Sequence, residues 1–214
     1  MSVPISIPID HQKLDGDLTV PHGATGLVLF AHGSGSSRRS PRNKFVAHVL
    51  EQHGLATLLI DLLTRDEEVV DTRTAELRFD IGLLAGRLAR IIDWLGERRE
   101  TTALPIGLFG ASTGGGAALV AAAQRPARVA AVVSRGGRPD LAGAALPRVA
   151  CPTLLIVGGH DDVVIDLNKR AMTHMRAPVT LEIIPGATHL FEEPGTLEQV
   201  ATLTAEFFVE QLQP

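Results

Sequence analysis

The chain has 214 residues, 45% hydrophobic and 21% charged, a composition typical of one globular domain with a substantial core. Lysine and arginine number 20 against 24 acidic residues, and the formal charge of −4 gives no reason to expect nucleic acid as a partner. Cys151 is the single cysteine, which excludes an intrachain disulfide and a cysteine cluster for a metal.

The first predicted elements are edge strands, and six apolar runs follow them. The N-terminal residues lack the pattern of a secretion signal and no apolar run reaches bilayer length, so we expect a cytoplasmic location and no membrane partner. Residues 3–20 alternate polar and apolar side chains around a turn signal at Leu14-Asp15-Gly16, which predicts one or two edge strands. The later runs are continuously apolar, which is typical of parallel strands covered on both faces. They lie at residues 26–31, 55–60, 105–109, 129–133, 153–157 and 179–184.

Helical patterns lie between these strands. Apolar stripes at helical spacing occur at Phe45, Val46, Val49 and Leu50, at Ile81, Leu84, Leu88, Ile91, Ile92 and Leu95, and at Leu197, Val200, Leu203, Phe207 and Phe208. Strands that alternate with helices predict a single α/β domain over residues 1–214, with a mostly parallel, doubly wound sheet and an antiparallel N-terminal edge. Ligands of such a sheet bind beyond the carboxyl ends of its strands. Residues 138–150 form so short a connection that we expect no lid domain there and a site open to small substrates.

The central motif is Gly-Ala-Ser-Thr-Gly at residues 110–114, a G-x-S-x-G pattern between a predicted strand and a predicted helix. A serine on so tight a turn takes strained backbone dihedrals, and its hydroxyl projects from the sheet beside a helix N-terminus. The motif alone is weak in a chain with 21 glycines, but its strand and helix context favours Ser112 as a nucleophile.

A serine nucleophile needs a base and a carboxylate that orients the base. His189 follows the last predicted strand and is the predicted base, whereas His32 is expected to brace the loop after residues 26–31. The predicted carboxylate is Asp161, within Gly-Gly-His-Asp after residues 153–157. The alternatives are that Asp161 is only a helix N-cap, so that Asp162 or Asp140 serves instead, and that His189 is a surface or loop-bracing histidine.

The oxyanion hole is expected from two backbone N–H groups. One belongs to Thr113, the residue after the nucleophile, and the other to Ser34 in the His-Gly-Ser-Gly-Ser-Ser loop at residues 32–37. A phosphate-binding role for this loop is not supported, since it contains neither G-x-G-x-x-G nor Gly-Lys-Ser/Thr.

On these motifs the chain resembles the α/β-hydrolases, and among them the lidless serine hydrolases of the dienelactone-hydrolase branch. The resemblance rests on residues 32–35, 110–114, 158–161 and 186–189, in the chain order of nucleophile-elbow hydrolases. It implies an acyl-enzyme on Ser112, with His189 as proton shuttle, Asp161 as its orienter and no metal or organic cofactor. Dienelactone hydrolases proper carry cysteine as the nucleophile, so Ser112 favours ester hydrolysis over lactone hydrolysis.

A second resemblance is to small hydrolase-like proteins that share Ser-Arg-Gly-Gly-Arg-Pro-Asp, here at residues 134–140, and that are sometimes fused to phosphoribosyltransferase domains. An anionic substrate group could be bound by Arg135 and Arg138 of this motif and by three arginines after the Gly/Ser loop. The alternative is that they pair with nearby carboxylates or are solvated. The three loop arginines are Arg38, Arg39 and Arg42, and the carboxylates are Asp66, Glu67 and Glu68.

The function predicted from the sequence is that of a serine carboxylesterase acting on small acyl esters, without a cofactor. The alternative is a non-catalytic module of the same fold that binds an anionic metabolite. Thioester, amide and peptide substrates stay open, since the same triad would serve all of them. Cys151 precedes a strand, at the end of the sheet opposite the predicted site, and is expected to be a core residue.

Overall fold

Eight strands form one sheet in the computed structural model, which describes residues 2–213. In spatial order the strands run β1, β2, β4, β3, β5, β6, β7 and β8. The β1–β2 and β2–β4 pairs are antiparallel and the other pairs are parallel, as predicted. The bounds are β1 Val3–Ile9, β2 Gln12–Thr19, β3 Gly26–Ala31, β4 Leu55–Ile60, β5 Ile106–Ala111, β6 Val129–Arg135, β7 Thr153–Gly158 and β8 Val179–Ile184.

Helices cover both faces of the sheet. They are α1 Pro41–Gln52, α2 Arg65–Thr74, α3 Ile81–Glu97, α4 Thr113–Gln124, α5 Asp162–Met172 and α6 Thr196–Gln211, with 3₁₀ segments at Leu77–Phe79 and Pro139–Arg148. One apolar cluster contains the inner side chains of α3 and α4 and the other those of α1 and α6, with the sheet between them. The predicted α1 stripe is wrong at Phe45, which is exposed, but Val46 and Leu50 are buried.

The predicted turn at residues 14–16 is wrong. The hairpin turns at Asp10 and His11, and Leu14 and Gly16 lie inside β2, opposite Ile7 and Ile5. Gly16 is needed there for space, because a Cβ at this position would lie 2.9 Å from the Cδ1 of Ile60. The glycine therefore allows close packing within the sheet and does not end a strand.

The connection between β6 and β7 contains the 3₁₀ segment Pro139–Arg148, which contacts α4 and α5. In residues 2–213 this connection adds no separate domain above the carboxyl ends of the strands. Within residues 2–213 no helix is both long enough and apolar enough to cross a membrane.

Candidate active site

Ser112 occupies the tight turn between β5 and α4. Its φ of 52° and ψ of −121° lie where non-glycine residues rarely occur, and such a residue typically stores about 1–3 kcal/mol of strain. Its N–H donates to the carbonyl of Arg135 at 3.2 Å. The turn also needs glycines, because a Cβ at Gly110 would lie 2.5 Å from the carbonyl oxygen of Gly114, and one at Gly114 would lie 2.2 Å from that of Ala31.

Asp161 and His189, predicted from separate loops, are in contact. The Nδ1 of His189 lies 2.6 Å from Oδ2 of Asp161. Asp161 stands at the N-cap position of α5, but its side chain makes no capping hydrogen bond. When the carboxylate accepts a hydrogen bond from Nδ1–H, the proton of the neutral imidazole stays on Nδ1 and Nε2 is free to take a proton.

The other two candidate carboxylates lie elsewhere. Asp162 is exposed in the first turn of α5. Asp140 accepts two hydrogen bonds from Arg138, at 2.8 and 2.7 Å. The structure therefore brings His189 to Asp161 and to neither alternative.

The residues after β6 connect the serine turn to the histidine loop. Gly136 has a φ of 51°, and a Cβ there would lie 3.1 Å from the carbonyl oxygen of His189 and 3.6 Å from its Cε1. The N–H of Arg138 donates to the carbonyl of Ser112 at 3.0 Å. The Ser112 hydroxyl makes no hydrogen bond to His189 within residues 2–213, and such contacts often tighten only when substrate binds.

Packing against Ser134 explains Gly137, the second glycine of the Ser-Arg-Gly-Gly-Arg motif. A Cβ at Gly137 would lie 1.8 Å from the Oγ of Ser134, and one at Gly115 in α4 would lie 2.5 Å from the same atom. Ser134 is fully buried between them. The motif therefore lets the loop after β6 lie against the helix that begins at the nucleophile turn.

The Gly/Ser loop after β3 lies against the same turn. A Cβ at Gly33 would lie 3.1 Å from the Cβ of Ser112. The N–H of Ser34 donates to Oγ1 of Thr113 at 3.0 Å. The two residues predicted for the oxyanion hole are thus adjacent. The Ser34 amide already has a hydrogen-bond acceptor, which is the Thr113 hydroxyl.

His32 braces this loop, as predicted. Its Nε2 accepts a hydrogen bond from the N–H of Leu62 at 3.0 Å, so the proton is on Nδ1, which lies 2.9 Å from the carbonyl oxygen of Gly33. Burial is the largest influence on this ring and lowers the pKa of His32. A neutral His32 thereby fixes the loop that carries Ser34.

A cleft of about 740 Å³ opens beside the turn. The loop at residues 32–37, Thr113 and Leu190 form its inner part, and α2 forms part of its wall. Its charged lining residues are Arg39, Arg42, Glu68, Asp71 and Arg78.

Most of the predicted arginines have carboxylate partners, but these partners are not the carboxylates proposed from the sequence. Arg38 pairs with Asp61 and, at 3.3 Å, with Asp17. Arg42 pairs with Glu192 at 3.2 Å and Arg138 with Asp140.

Glu67, suggested as a partner for this cluster, instead binds Arg87 at 2.6 Å. Arg135 is buried and has no carboxylate within 4.0 Å in residues 2–213.

Comparison with known proteins then identifies the family. The model of the dienelactone hydrolase family matches residues 15–210. The chain belongs to the dienelactone hydrolase family. Its membership, together with the sheet order and the turn at Ser112, confirms the predicted resemblance and the α/β-hydrolase fold.

Three proteins are similar to this chain in sequence or in fold. A dienelactone hydrolase of Anabaena variabilis is 60% identical, with a TM-score of 0.98 over 100% of this chain and 99% of that one. Est1E of Butyrivibrio proteoclasticus shares the fold, with a TM-score of 0.81 at 19% identity over 97% of this chain and 98% of that one. A Mycobacterium tuberculosis protein with the provisional name phosphoribosyl transferase is 58% identical over 92% of this chain. The chain spans only 44% of that relative's length.

Proposed function

We propose that this member of a hydrolase family is a serine hydrolase that cleaves small carboxylic esters, with Ser112, His189 and Asp161 as its triad. The observation that carries the proposal is the 2.6 Å contact between His189 Nδ1 and Asp161 Oδ2, in a site whose serine has a φ of 52°. A serine hydroxyl needs such an oriented imidazole to react at neutral pH.

The reaction proceeds in two half-reactions. His189 Nε2 takes the Ser112 proton as Oγ attacks the ester carbonyl, and the imidazolium then protonates the departing alcohol oxygen, which leaves an acyl-enzyme on Ser112. A water molecule loses a proton to Nε2, attacks the acyl carbonyl and releases the acid, while Ser112 regains its proton. Asp161 keeps the imidazole in the tautomer that accepts at Nε2.

The N–H groups of Thr113 and Ser34 are proposed to stabilise the oxyanion. The Thr113 amide is in the first turn of α4, where the helix dipole also favours negative charge. The Ser34 amide now donates to Thr113 Oγ1, so it has to exchange that acceptor for the substrate oxygen.

No phosphoribosyl transfer is proposed for this chain. The name belongs to relatives more than twice as long, since the chain spans 44% of their length. Within the chain, the Gly/Ser loop lies against the Ser112 turn, with its Ser34 amide bound to Thr113. This arrangement suits acyl chemistry at Ser112.

A fluorophosphonate probe and p-nitrophenyl acetate test the proposal. We expect stoichiometric labelling and turnover by the wild-type protein, both lost in Ser112→Ala and both kept in Ser6→Ala, on the exposed face of β1. Labelling that persists in Ser112→Ala would point to another nucleophile. No labelling and no turnover by the wild type would favour the non-catalytic module.

A further inference from the structure

Arg135, the last residue of β6, is a buried cation that has no carboxylate counter-ion within residues 2–213. The residue is 7% exposed, and its Nε and Nη1 atoms have no hydrogen-bond partner within residues 2–213. Its Nη2 reaches only Oδ1 of Asn43, at 3.5 Å, and its Cζ lies 6.0 Å from the centre of the Phe191 ring. Burial and the neighbouring Arg42 lower its pKa to about 10, which still leaves the group charged at neutral pH.

Such a charge is unfavourable unless something neutralises it. An unpaired ion inside a protein is strongly destabilising even after the structure relaxes, and buried guanidinium N–H groups need acceptors. A cation–π contact at 6.0 Å offsets only a small part of this. Within residues 2–213, no group of the chain supplies the acceptors that the Nε and Nη1 atoms of Arg135 need.

Arg42 precedes Asn43, which Arg135 contacts, and its own guanidinium is only partly paired. Its Nε is buried without a partner, and its Nη1 binds the exposed carboxylate of Glu192 at 3.2 Å. Arg42 lines the cleft and precedes Asn43 in the first turn of α1, the turn that the Arg135 guanidinium contacts. Two cations here face one exposed carboxylate, which leaves one positive charge to be balanced.

We propose that Arg42 and Arg135 form a subsite for a carboxylate or phosphate group of the substrate, so that the preferred esters are anionic. This inference rests on the proposed serine hydrolase function. The backbone of Arg135 is adjacent to the nucleophile, since its carbonyl accepts from the N–H of Ser112 at 3.2 Å. The anionic group of the substrate therefore lies within about the length of one arginine side chain from the ester carbonyl that is cleaved. A half-ester of a short dicarboxylic acid has its carboxylate at such a distance. Arg38 and Arg138 are excluded from this role because carboxylates of the chain contact at least two nitrogen atoms of each, whereas Arg42 contacts Glu192 through Nη1 alone.

The test compares a charged and a neutral ester in the same assay. We expect wild-type kcat/KM for mono-p-nitrophenyl succinate to exceed that for p-nitrophenyl butyrate. Arg135→Gln removes the charge but keeps a side chain that can bond Asn43, and should lower this preference about 30-fold, mostly through KM. Arg42→Gln, on a more exposed residue, should lower it in the same direction and serves if Arg135→Gln fails to fold. Arg125→Gln, far from the cleft and paired with Asp93, should leave the preference unchanged.

Inhibition of wild-type butyrate-ester hydrolysis by succinate and by inorganic phosphate separates the two anions, since the better inhibitor identifies the preferred group. Equal loss on both esters in Arg135→Gln and Arg42→Gln would overturn the subsite and leave these arginines a structural role with bound water. A wild type that labels at Ser112 but shows no preference would overturn the subsite alone. A wild type that neither labels nor turns over either ester would overturn the proposed function as well.

Discussion

At the scale of single residues, Asp161 shows how one side chain is diverted from a structural role. Asp161 occupies the N-cap position of α5, where a carboxylate normally accepts a hydrogen bond from a backbone N–H of the helix. Here its Oδ2 lies instead 2.6 Å from the Nδ1 of His189. The helix gives up a cap that is typically worth about 1 kcal/mol. The loss of a cap is expected at positions where a side chain serves chemistry, which agrees with the role proposed for Asp161.

Replacing Asp161 tests this assignment. Asp161→Asn should lower kcat for p-nitrophenyl acetate about 10³- to 10⁴-fold, because an amide no longer fixes the tautomer that accepts at Nε2. The free energy of unfolding should change little, since the side chain caps nothing. Asp162→Asn, one residue along and exposed, is the matched control and should keep activity within about twofold. Similar losses in the two variants would contradict the assignment.

The residues of the site were predictable where local rules place them. Ser112 follows from a glycine-flanked strand-to-helix turn, and His189 and Asp161 from their positions after β8 and β7. What the sequence could not give are contacts that depend on the folded arrangement of distant loops. The Ser34 amide bound to Thr113 and the missing counter-ion of Arg135 are of this kind, since each depends on segments 79 or more residues apart.

At the scale of elements, α2 is the helix that sequence patterns missed. Its residues are mostly polar, and Val69 and Val70 are exposed, so no apolar stripe marks it. A signal was nevertheless present, because Thr64 and Glu67 form a capping box at its start. Glu67 also binds the buried Arg87 of α3 through both carboxylate oxygens, at 2.6 and 2.7 Å.

The ion pair between α2 and α3 predicts a specific acid dependence of stability. Although burial opposes it, hydrogen bonds from Arg87 and Thr64 lower the pKa of Glu67 to about 2 from its usual 4.5. A depressed carboxyl pKa stabilises the fold above about pH 4.5, and this contribution is lost as the pH falls from 4.5 towards 2. Glu67→Gln should therefore lower the free energy of unfolding by about 2 kcal/mol at pH 7, with the gap to wild type closing below pH 4.5.

Glu68 provides the control in the next position. Burial, and then repulsion by Asp61, raise the pKa of Glu68, so its charge opposes folding at neutral pH. Urea unfolding should find Glu68→Gln at least as stable as wild type at pH 7. A loss of stability in Glu68→Gln equal to that in Glu67→Gln would show that the pair with Arg87 is not the cause.

At the scale of the whole molecule, one sheet joins two apolar clusters. Phe208 of α6 lies in one cluster and Leu88 of α3 in the other, and both are fully buried. The Phe208 ring rests on Gly107 of β5, since a Cβ there would lie 2.5 Å from its Cε1. The strand that ends at the Ser112 turn is thus supported directly by the C-terminal helix. The doubly wound sheet was predictable from the alternation of apolar runs and helical stripes, but this contact between distant elements was not.

This arrangement predicts that the chain unfolds as one cooperative unit, as a single domain would. Trp94, the single tryptophan, packs against the α3 cluster and reports on the face of the sheet opposite Phe208. Phe208→Ala should lower the free energy of unfolding by about 3–5 kcal/mol, and Leu88→Ala by about 2–5 kcal/mol, through lost burial and the cavities they leave. Each variant should shift the urea midpoint equally by Trp94 fluorescence, far-ultraviolet circular dichroism and residual esterase activity. If Phe208→Ala lowered the midpoint by circular dichroism but left the Trp94 transition in place, the two faces would be separate folding units and the single-domain prediction would be wrong.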